Sequence, residues 1–148
     1  MKMENMQHTG AYKERGALNK LCSLTEEEKA IGVFAASAGN HAQGLAYHAG
    51  RLGVKSTIFM PLGTPTIKVT RTKFYGANVE QVGNTFDDAF NACVEHLKHN
   101  GGVLVHPFDD FDIIAGQGTI GLELLDQLPD VDVLVVPIGG KLKLLRCR

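Results

Sequence analysis

Two polar stretches, each directly after an apolar segment, carry the side chains best suited to chemistry in this 148-residue sequence. The first contains the Thr9-Gly10 pair, which predicts a turn, followed by Lys13 at the predicted start of a helix. Cations are disfavoured at a helix N-terminus because the positive end of the macrodipole lies there. A lysine held at this point loses part of its preference for the charged form, as an amine nucleophile requires. The ordinary alternative is a solvated lysine in the first turn of a helix.

The second stretch runs from Ser37 to Gly44 and reads SAGNHAQG. Hydroxyl, amide and backbone N–H groups at a helix N-terminus favour an oxygen anion, such as a carboxylate or a phenolate, because the helix dipole is positive there. Plain N-capping is the alternative, with Asn40 and Gln43 forming an imperfect capping box. From the residues alone, both interpretations remain open.

Two other patterns do not predict a site. Gly116, Gly118 and Gly121 fit the G-x-G-x-x-G pattern, but no strand runs directly into them and no acidic residue ends a strand about 20 residues further on. We expect these glycines to let a helix pack close to the sheet, rather than to bind a dinucleotide. His96 and His99 share a helical face without an evident third ligand, so we predict no metal site.

The elements that must position the two polar stretches are short apolar strands that alternate with helical patterns. Apolar runs predict strands at 1–5, 32–37, 55–61, 77–83, 102–108 and 132–138. Helical periodicity predicts helices at 12–24, 25–32, 41–53, 66–76, 85–101 and 115–128. At the helix ends, Thr25 and Glu28 form a capping box and Gly53 is a C-terminal stop signal.

Repeated strand–helix–strand units with apolar strands are typical of an α/β fold. They predict a three-layer structure, a parallel sheet with helices on both faces. In such sheets ligands bind beyond the carboxyl ends of the strands. Both polar stretches follow predicted strands, so we expect them at this edge.

Composition and charge argue against several function classes. The 15 basic and 16 acidic residues give a net charge of −1, which offers no electrostatic reason to propose nucleic acid as a partner. No apolar run approaches the ~18 residues of a membrane-spanning helix, so we predict no membrane partner. Cys22, Cys93 and Cys147 are odd in number and widely spaced, which is typical of a reducing, cytoplasmic compartment.

Three segments resemble one known family. They are KMENMQHTGAYKERGALNKL, SAGNHAQGLAYHAGRLG, and AGQGTIGLELLDQL together with DVLVVPIGG. In order and spacing they are similar to the pyridoxal-phosphate enzymes of the tryptophan-synthase-β fold type. Within that group, the threonine dehydratases (threonine ammonia-lyases) are the most similar. The resemblance runs from residue 1 to about residue 140.

The resemblance implies a role for each candidate residue. Lys13 matches the family lysine that binds pyridoxal phosphate covalently, and Asn40 matches the asparagine that hydrogen-bonds the cofactor's 3′ oxygen. Gly139 and Gly140 match the start of the glycine loop that binds the cofactor phosphate. The remaining implied role, binding of the substrate carboxylate, falls on Ser37, Ala38, Gly39, Asn40 and His41.

The implied reaction is a β-elimination that converts L-threonine to 2-oxobutanoate and ammonia, and L-serine to pyruvate. Serine racemases resemble these enzymes, but they usually carry a serine at the position of Ala38 to reprotonate the opposite face. Alanine has no proton to give, which favours a dehydratase. The alternative from a different class is a non-catalytic fragment that acts as a binding or interaction module.

The sequence departs from the family pattern after Gly140. A lysine and a leucine stand where further glycines are typical, and 141–148 form a basic tail. We therefore expect an incomplete enzyme, in which 1–130 form mainly the small domain. Residues 131–140 would form the first strand and a truncated glycine-rich loop of the large domain. Such a chain is expected to bind the cofactor weakly and turn over little. Homo-oligomers are implied for the full-length family.

Overall fold

The centre of the molecule is a four-stranded parallel sheet. The structure is a computed structural model that describes residues 1–136. The strands are β1 (Val33–Ala36), β2 (Ser56–Met60), β3 (Asn78–Gln81) and β4 (Val103–Leu104). Their order across the sheet is β3-β2-β1-β4, so β1 and β2 are central. In register, Val33 lies beside both Ser56 and Val103. The predicted parallel α/β fold is confirmed.

Helices connect the strands and cover the sheet. In chain order they are α1 (Lys13–Cys22), α2 (Glu26–Ile31), α3 (Asn40–Leu52), α4 (Thr66–Phe74), α5 (Phe86–Asn100) and α6 (Phe111–Gln127). The capping box of Thr25 and Glu28 is present at the start of α2, and Gly53 ends α3 with a left-handed φ of 69°. Among the helices of residues 1–136, none is long and apolar enough to cross a lipid bilayer.

Alternate residues of β1 face two separate cores. Val33 and Ala35 belong to the larger cluster, which also includes buried residues of α1, α3 and α6. Phe34 and Ala36 belong to a smaller cluster, which includes Cys93 of α5. Because successive side chains of a strand point to opposite faces, this division confirms the three-layer arrangement.

The glycine pattern at 116–121 lies inside α6, and its first glycine packs against another helix. A Cβ added to Gly116 would lie 2.6 Å from Gly16 Cα and 2.7 Å from the Arg15 carbonyl oxygen, both in α1. A Cβ at Gly118 would meet no described atom within 4 Å. The predicted contact with the sheet is therefore wrong, since Gly116 permits a close approach of two helices. Glycines in a helix interior cannot form a phosphate-binding loop, which argues against a dinucleotide site.

Alanine substitutions at Gly116 and Gly118 should have different effects on stability. Gly116→Ala is expected to lower the free energy of unfolding by about 2 kcal/mol, because its methyl group would overpack the contact with α1. Gly118→Ala is expected to leave it unchanged or raise it by up to ~1 kcal/mol, since alanine favours helix. Urea denaturation of the two variants measures the difference. Equal midpoints would contradict the assigned helix contact.

Two predicted strands are absent from residues 1–136. The N-terminal segment forms a 3-10 helix, Glu4–Met6, because the Glu4 carboxylate binds the Arg15 guanidinium (2.8 Å, Oε2 to Nε) and lies against α1. Residues 131–136 form no strand, and Val135 is 94% exposed. A strand needs a hydrogen-bonded neighbour, and no strand of the described sheet lies beside either segment.

Candidate active site

A short loop at the carboxyl end of β1 carries three of the predicted site residues, Ser37, Ala38 and Gly39. The loop is anchored to the next strand, because Ser37 N donates to the Phe59 carbonyl oxygen (3.1 Å). It is also closed on itself, since Gly39 N donates to Ser37 Oγ (3.3 Å). Ser37 is buried, whereas Ala38 and Gly39 are half-buried. The loop therefore has a defined backbone shape at the sheet edge where ligands of α/β proteins bind.

Asn40 is the first residue of α3 rather than its cap. The N-cap residue is Gly39, and no side chain caps the helix. The predicted capping box of Asn40 and Gln43 is therefore wrong. Asn40 is exposed, and its side-chain amide forms none of the hydrogen bonds found within residues 1–136. Its amide is thus available for a ligand at the positive end of the helix dipole.

Gly39 is not explained by strain or by packing within the described chain. Its φ of −130° lies outside the left-handed region that favours glycine. A Cβ added there would meet no described atom within 4 Å, so the glycine faces open space. A glycine beside open space is what close approach of a ligand to the backbone requires.

Lys13 lies at the same edge as this loop. It is the first residue of α1, as predicted, and its Nζ donates a hydrogen bond to the carbonyl oxygen of Pro107 (2.7 Å). Pro107 belongs to the segment that follows β4. Because β4 pairs with β1 in parallel, the amine of Lys13 is held at the carboxyl end of the sheet. The charge of Lys13 is close enough to His41 to affect its pKa.

His41 fixes the start of α3 to the end of β4. The residue is 3% exposed, and its Nε2 lies 2.9 Å from the Val105 carbonyl oxygen. A carbonyl oxygen only accepts, so Nε2 carries the proton and donates it. Burial is the main cause that lowers the pKa of His41 to about 4, and the nearby charge of Lys13 contributes to this shift, so the ring is neutral. Nδ1 is buried without a hydrogen-bond partner in the part of the chain that the structure describes.

The free energy of unfolding should therefore fall as the pH is lowered and His41 becomes protonated. Its pKa is lowered from 6.5 to about 4 in the fold, so its contribution is complete above pH 6.5 and is lost as the pH falls to about 4. The expected loss is about 3 kcal/mol. Urea unfolding of the wild type and His41→Gln over this pH range should show a shallower pH dependence in the variant. Parallel curves would contradict the prediction.

The site also contains a buried carboxylate that the sequence reasoning missed. Glu14 is 4% exposed, and its Oε2 accepts hydrogen bonds from both the backbone N and the Oγ1 of Thr9 (2.8 Å each). Burial raises the pKa of Glu14, but hydrogen bonds from Thr9 and His8 outweigh it, and the net pKa lies below its usual value. Glu14 thus ties the Thr9-Gly10 turn to α1, directly beside Lys13.

One sequence signal could have revealed this packing. Gly44 lies inside α3, and a Cβ there would be 3.0 Å from Glu14 Cα. A glycine within a helical pattern indicates a close approach of two backbones. A second missed residue, Gln117 of α6, donates from Nε2 to the Lys13 carbonyl oxygen (3.2 Å). Helices α3 and α6 therefore both position the start of α1.

Two other sequence predictions concern a phosphate-binding loop and a metal site. Gly139 and Gly140, together with the tail 141–148, lie outside the described residues. No group of three or more His, Cys, Asp or Glu side chains within 1–136 could hold a metal ion. His96 instead packs on the ring of Phe34, with the centroids 4.8 Å apart.

Comparison with known proteins decides the family. The family described as pyridoxal-phosphate dependent enzyme matches residues 1–142. The chain belongs to the pyridoxal-phosphate-dependent enzymes. This places the described sheet and helices in the tryptophan-synthase-β-like fold of that family.

Several members of this enzyme family are closely similar to the chain. The L-threonine ammonia-lyase of Thermotoga maritima is 54% identical over 140 residues, which are 95% of this chain and 35% of that protein. A catabolic L-threonine dehydratase of Staphylococcus aureus is 51% identical and is covered to 40%. The solved threonine deaminase isoform 2 of Solanum lycopersicum has a TM-score of 0.85 and 43% identity, over 88% of this chain and 36% of that one. The chain thus spans little more than a third of its relatives' length.

The described edge fits the cofactor of the pyridoxal-phosphate-dependent enzymes. Lys13 supplies an amine, the group that reacts with the cofactor aldehyde. Asn40 supplies an amide with no hydrogen bond inside residues 1–136, suited to a phenolate oxygen. Open space beside Gly39 leaves room for a flat ring or a carboxylate. The amine, the amide and the open space suit three different groups of the ligand. All three lie at the carboxyl end of the sheet.

Proposed function

We propose that this chain contributes the lysine-bearing part of a threonine ammonia-lyase site. The proposed reaction is the elimination of water from L-threonine, followed by hydrolysis to 2-oxobutanoate and ammonia, with L-serine giving pyruvate. The observation that carries the proposal is the placement of the Lys13 amine, held by Pro107 at the carboxyl edge where the Ser37–Asn40 loop begins. The names of the T. maritima and S. aureus relatives support threonine as the substrate.

Each proposed role falls on a group at the carboxyl end of the sheet. Pyridoxal phosphate, when bound, acidifies the α-proton of an attached amino acid and accepts the electrons that the proton leaves behind. The Lys13 amine takes that proton from the substrate Cα, because it lies at the edge where the cofactor would attach. The Asn40 amide donates to the 3′ oxygen. The Ser37 hydroxyl and the backbone N–H groups beside Gly39 bind the substrate carboxylate.

Ala38 favours elimination over racemisation. Solved serine racemases are also similar to the chain, as in the Dictyostelium discoideum enzyme with a TM-score of 0.83 and 39% identity. Racemisation needs a second proton donor on the face opposite Lys13, and the methyl group of Ala38 has no proton to transfer. A racemase would release D-serine from L-serine, whereas the proposed enzyme releases pyruvate.

Further parts of the proposal concern the protein as a whole. Residues 1–130 would form mainly the small domain, and 131–140 the start of the large one, with Gly139 and Gly140 beginning the phosphate loop. Among the described residues Cys22 and Cys93 are free thiols, which supports a cytoplasmic location. The partners would be the amino-acid substrate and other copies of the full-length enzyme.

A graft tests this function within a complete enzyme scaffold. Residues 1–136 of this chain replace the matching residues of the T. maritima L-threonine ammonia-lyase, with which the chain shares 54% identity. We call this protein the grafted enzyme. We expect it to form 2-oxobutanoate from L-threonine and pyruvate from L-serine, with no D-serine. By contrast, we expect the 148-residue chain alone to show weak turnover or none.

The outcomes separate the three functions under consideration. A folded grafted enzyme that binds pyridoxal phosphate but forms neither keto acid would contradict the proposal and favour a non-catalytic interaction module. Formation of D-serine in place of pyruvate would favour the racemase. The unmodified T. maritima enzyme, assayed in parallel, fixes the scale of full activity.

A further inference from the structure

The segment from Val105 to Asp110, which we call the 105–110 turn, is anchored at both ends. At its start, Val105 N donates to the Phe34 carbonyl oxygen (2.8 Å), and the Val105 carbonyl accepts from His41. At its end, Asp110 Oδ1 caps α6 by accepting from Asp112 N (2.8 Å). The turn is therefore fixed to β1 and α3 at its start and to the first turn of α6 at its end.

His106 determines the shape of the middle of this turn. Its Nδ1 accepts hydrogen bonds from Asp109 N (2.8 Å) and Phe108 N (3.3 Å). The backbone thus folds around the imidazole. In the sequence, Pro107 stands between His106 and the two residues that donate these hydrogen bonds. The ring is fixed further by an edge contact with Phe108, with the centroids 4.6 Å apart. Burial lowers the pKa of His106, which keeps Nδ1 unprotonated and able to accept.

The carbonyl of Pro107, the residue directly after His106, accepts the hydrogen bond from Lys13 Nζ (2.7 Å). We infer that His106 is a positioning residue: it fixes the Pro107 carbonyl against the Lys13 amine and thereby sets the reactivity of that amine. The inference deepens the proposed function, because the amine it concerns is the proposed base and cofactor anchor.

The Pro107 carbonyl holds the Lys13 amine through this hydrogen bond while the turn keeps its shape. A hydrogen bond from a charged donor to a fixed carbonyl is among the stronger ones in proteins, and it keeps the nitrogen occupied. Moving the carbonyl away should leave the amine more accessible to a reagent. Lys13 should therefore react faster with an amine reagent when the shape of the turn is lost. The substitution at His106 would act on Lys13 through the backbone of the turn and the Pro107 carbonyl.

Competitive acetylation of the 148-residue chain tests the inference without any cofactor. Acetic anhydride is applied at one fixed pH, and the acetylation rate of each lysine is measured by peptide mass spectrometry. In His106→Gln, the Lys13 rate should rise about tenfold over the wild type, the scale of one lost hydrogen bond to a charged group. In His106→Asn, the rate should stay near that of the wild type, because the asparagine oxygen reaches the same two N–H groups. His99→Ala, at an exposed histidine of α5, is the control and should change nothing.

Lys20 reports whether the fold is intact. Its Nζ is ion-paired with Asp112 Oδ2 (3.0 Å) on α6, outside the 105–110 turn, as well as with Asp110 Oδ2 (2.9 Å). Unfolding would break both pairs and raise the acetylation rate of Lys20 together with that of Lys13. A rise at Lys13 alone in His106→Gln, reversed in His106→Asn, supports the inference. Equal Lys13 rates in the two variants, or a rise shared by Lys20 in both, would overturn it. Failure of pyridoxal phosphate to attach at Lys13 would instead overturn the proposed function and leave the acetylation result unaffected.

Discussion

Lys13→Ala in the grafted enzyme is expected to reduce the rate of 2-oxobutanoate formation by a factor on the order of 10³ or more. The substitution removes both the group that attaches the cofactor and the base that takes the substrate α-proton, and each contributes strongly to such reactions. The loss should appear in kcat, because the proton is transferred during the chemical step. Release of 2-oxobutanoate from L-threonine, followed over time at saturating cofactor, is the measurement.

A surface lysine provides the matched control for this variant. Lys68 lies on α4 and is exposed, so Lys68→Ala removes an amine without disturbing the proposed site. The rate of Lys68→Ala should equal that of the unsubstituted grafted enzyme. A Lys13→Ala variant that keeps more than about a tenth of the activity would contradict the role assigned to Lys13.

Gly39→Ala is expected to weaken cofactor and substrate binding while leaving the fold intact. The open space beside Gly39 means that a methyl group meets no described atom within 4 Å, so the free energy of unfolding should change by less than ~0.5 kcal/mol. The same methyl group would occupy the space that the proposed ligand uses. The dissociation constant for pyridoxal phosphate, or the KM for L-threonine, should therefore rise about tenfold or more in the grafted enzyme.

Gly16→Ala is the matched control, because it should have the opposite pattern. A Cβ there would lie 2.5 Å from Gln117 Nε2 and 2.7 Å from the Ile113 carbonyl oxygen, at the contact between α1 and α6. We expect a loss of about 2 kcal/mol in unfolding free energy, from overpacking. Urea unfolding of both variants provides the comparison. If Gly39→Ala destabilises the chain as much as Gly16→Ala, the assignment of open ligand space at Gly39 is wrong.

Elements determined by local chemistry were predictable from the sequence. The capping box of Thr25 and Glu28 needs only neighbouring residues, and Gly53 ends α3 because glycine adopts a left-handed φ without cost. The strand predicted at 132–138 does not depend on neighbouring residues alone, because a strand forms only beside a partner strand. Its described part, 132–136, pairs with no strand of the described sheet. An apolar run therefore predicted strand character but not a position in this sheet.

The site was predictable only where its residues follow a strand or begin a helix. Asn40 could be placed at the carboxyl end of the sheet from the order of elements, because it follows β1. Lys13 was expected there because it follows the strand predicted at 1–5, but that segment is a 3-10 helix, so the position of Lys13 depends on tertiary packing. The contact of Lys13 with Pro107 joins residues 94 positions apart, and no local pattern predicts such a pair. Likewise, the burial of Glu14 depends on the close approach of α3 at Gly44, which is a tertiary contact.

Reduction with borohydride after incubation with pyridoxal phosphate tests the central claim most directly. The purified 148-residue chain is given excess cofactor and reduced, and the modified lysines are mapped by mass spectrometry. We predict that Lys13 is labelled in higher yield than any other lysine, and that Lys13→Ala loses this label while labelling elsewhere stays unchanged. Diffuse labelling of exposed lysines such as Lys68 and Lys98, with Lys13 labelled no more than they are, would contradict the account.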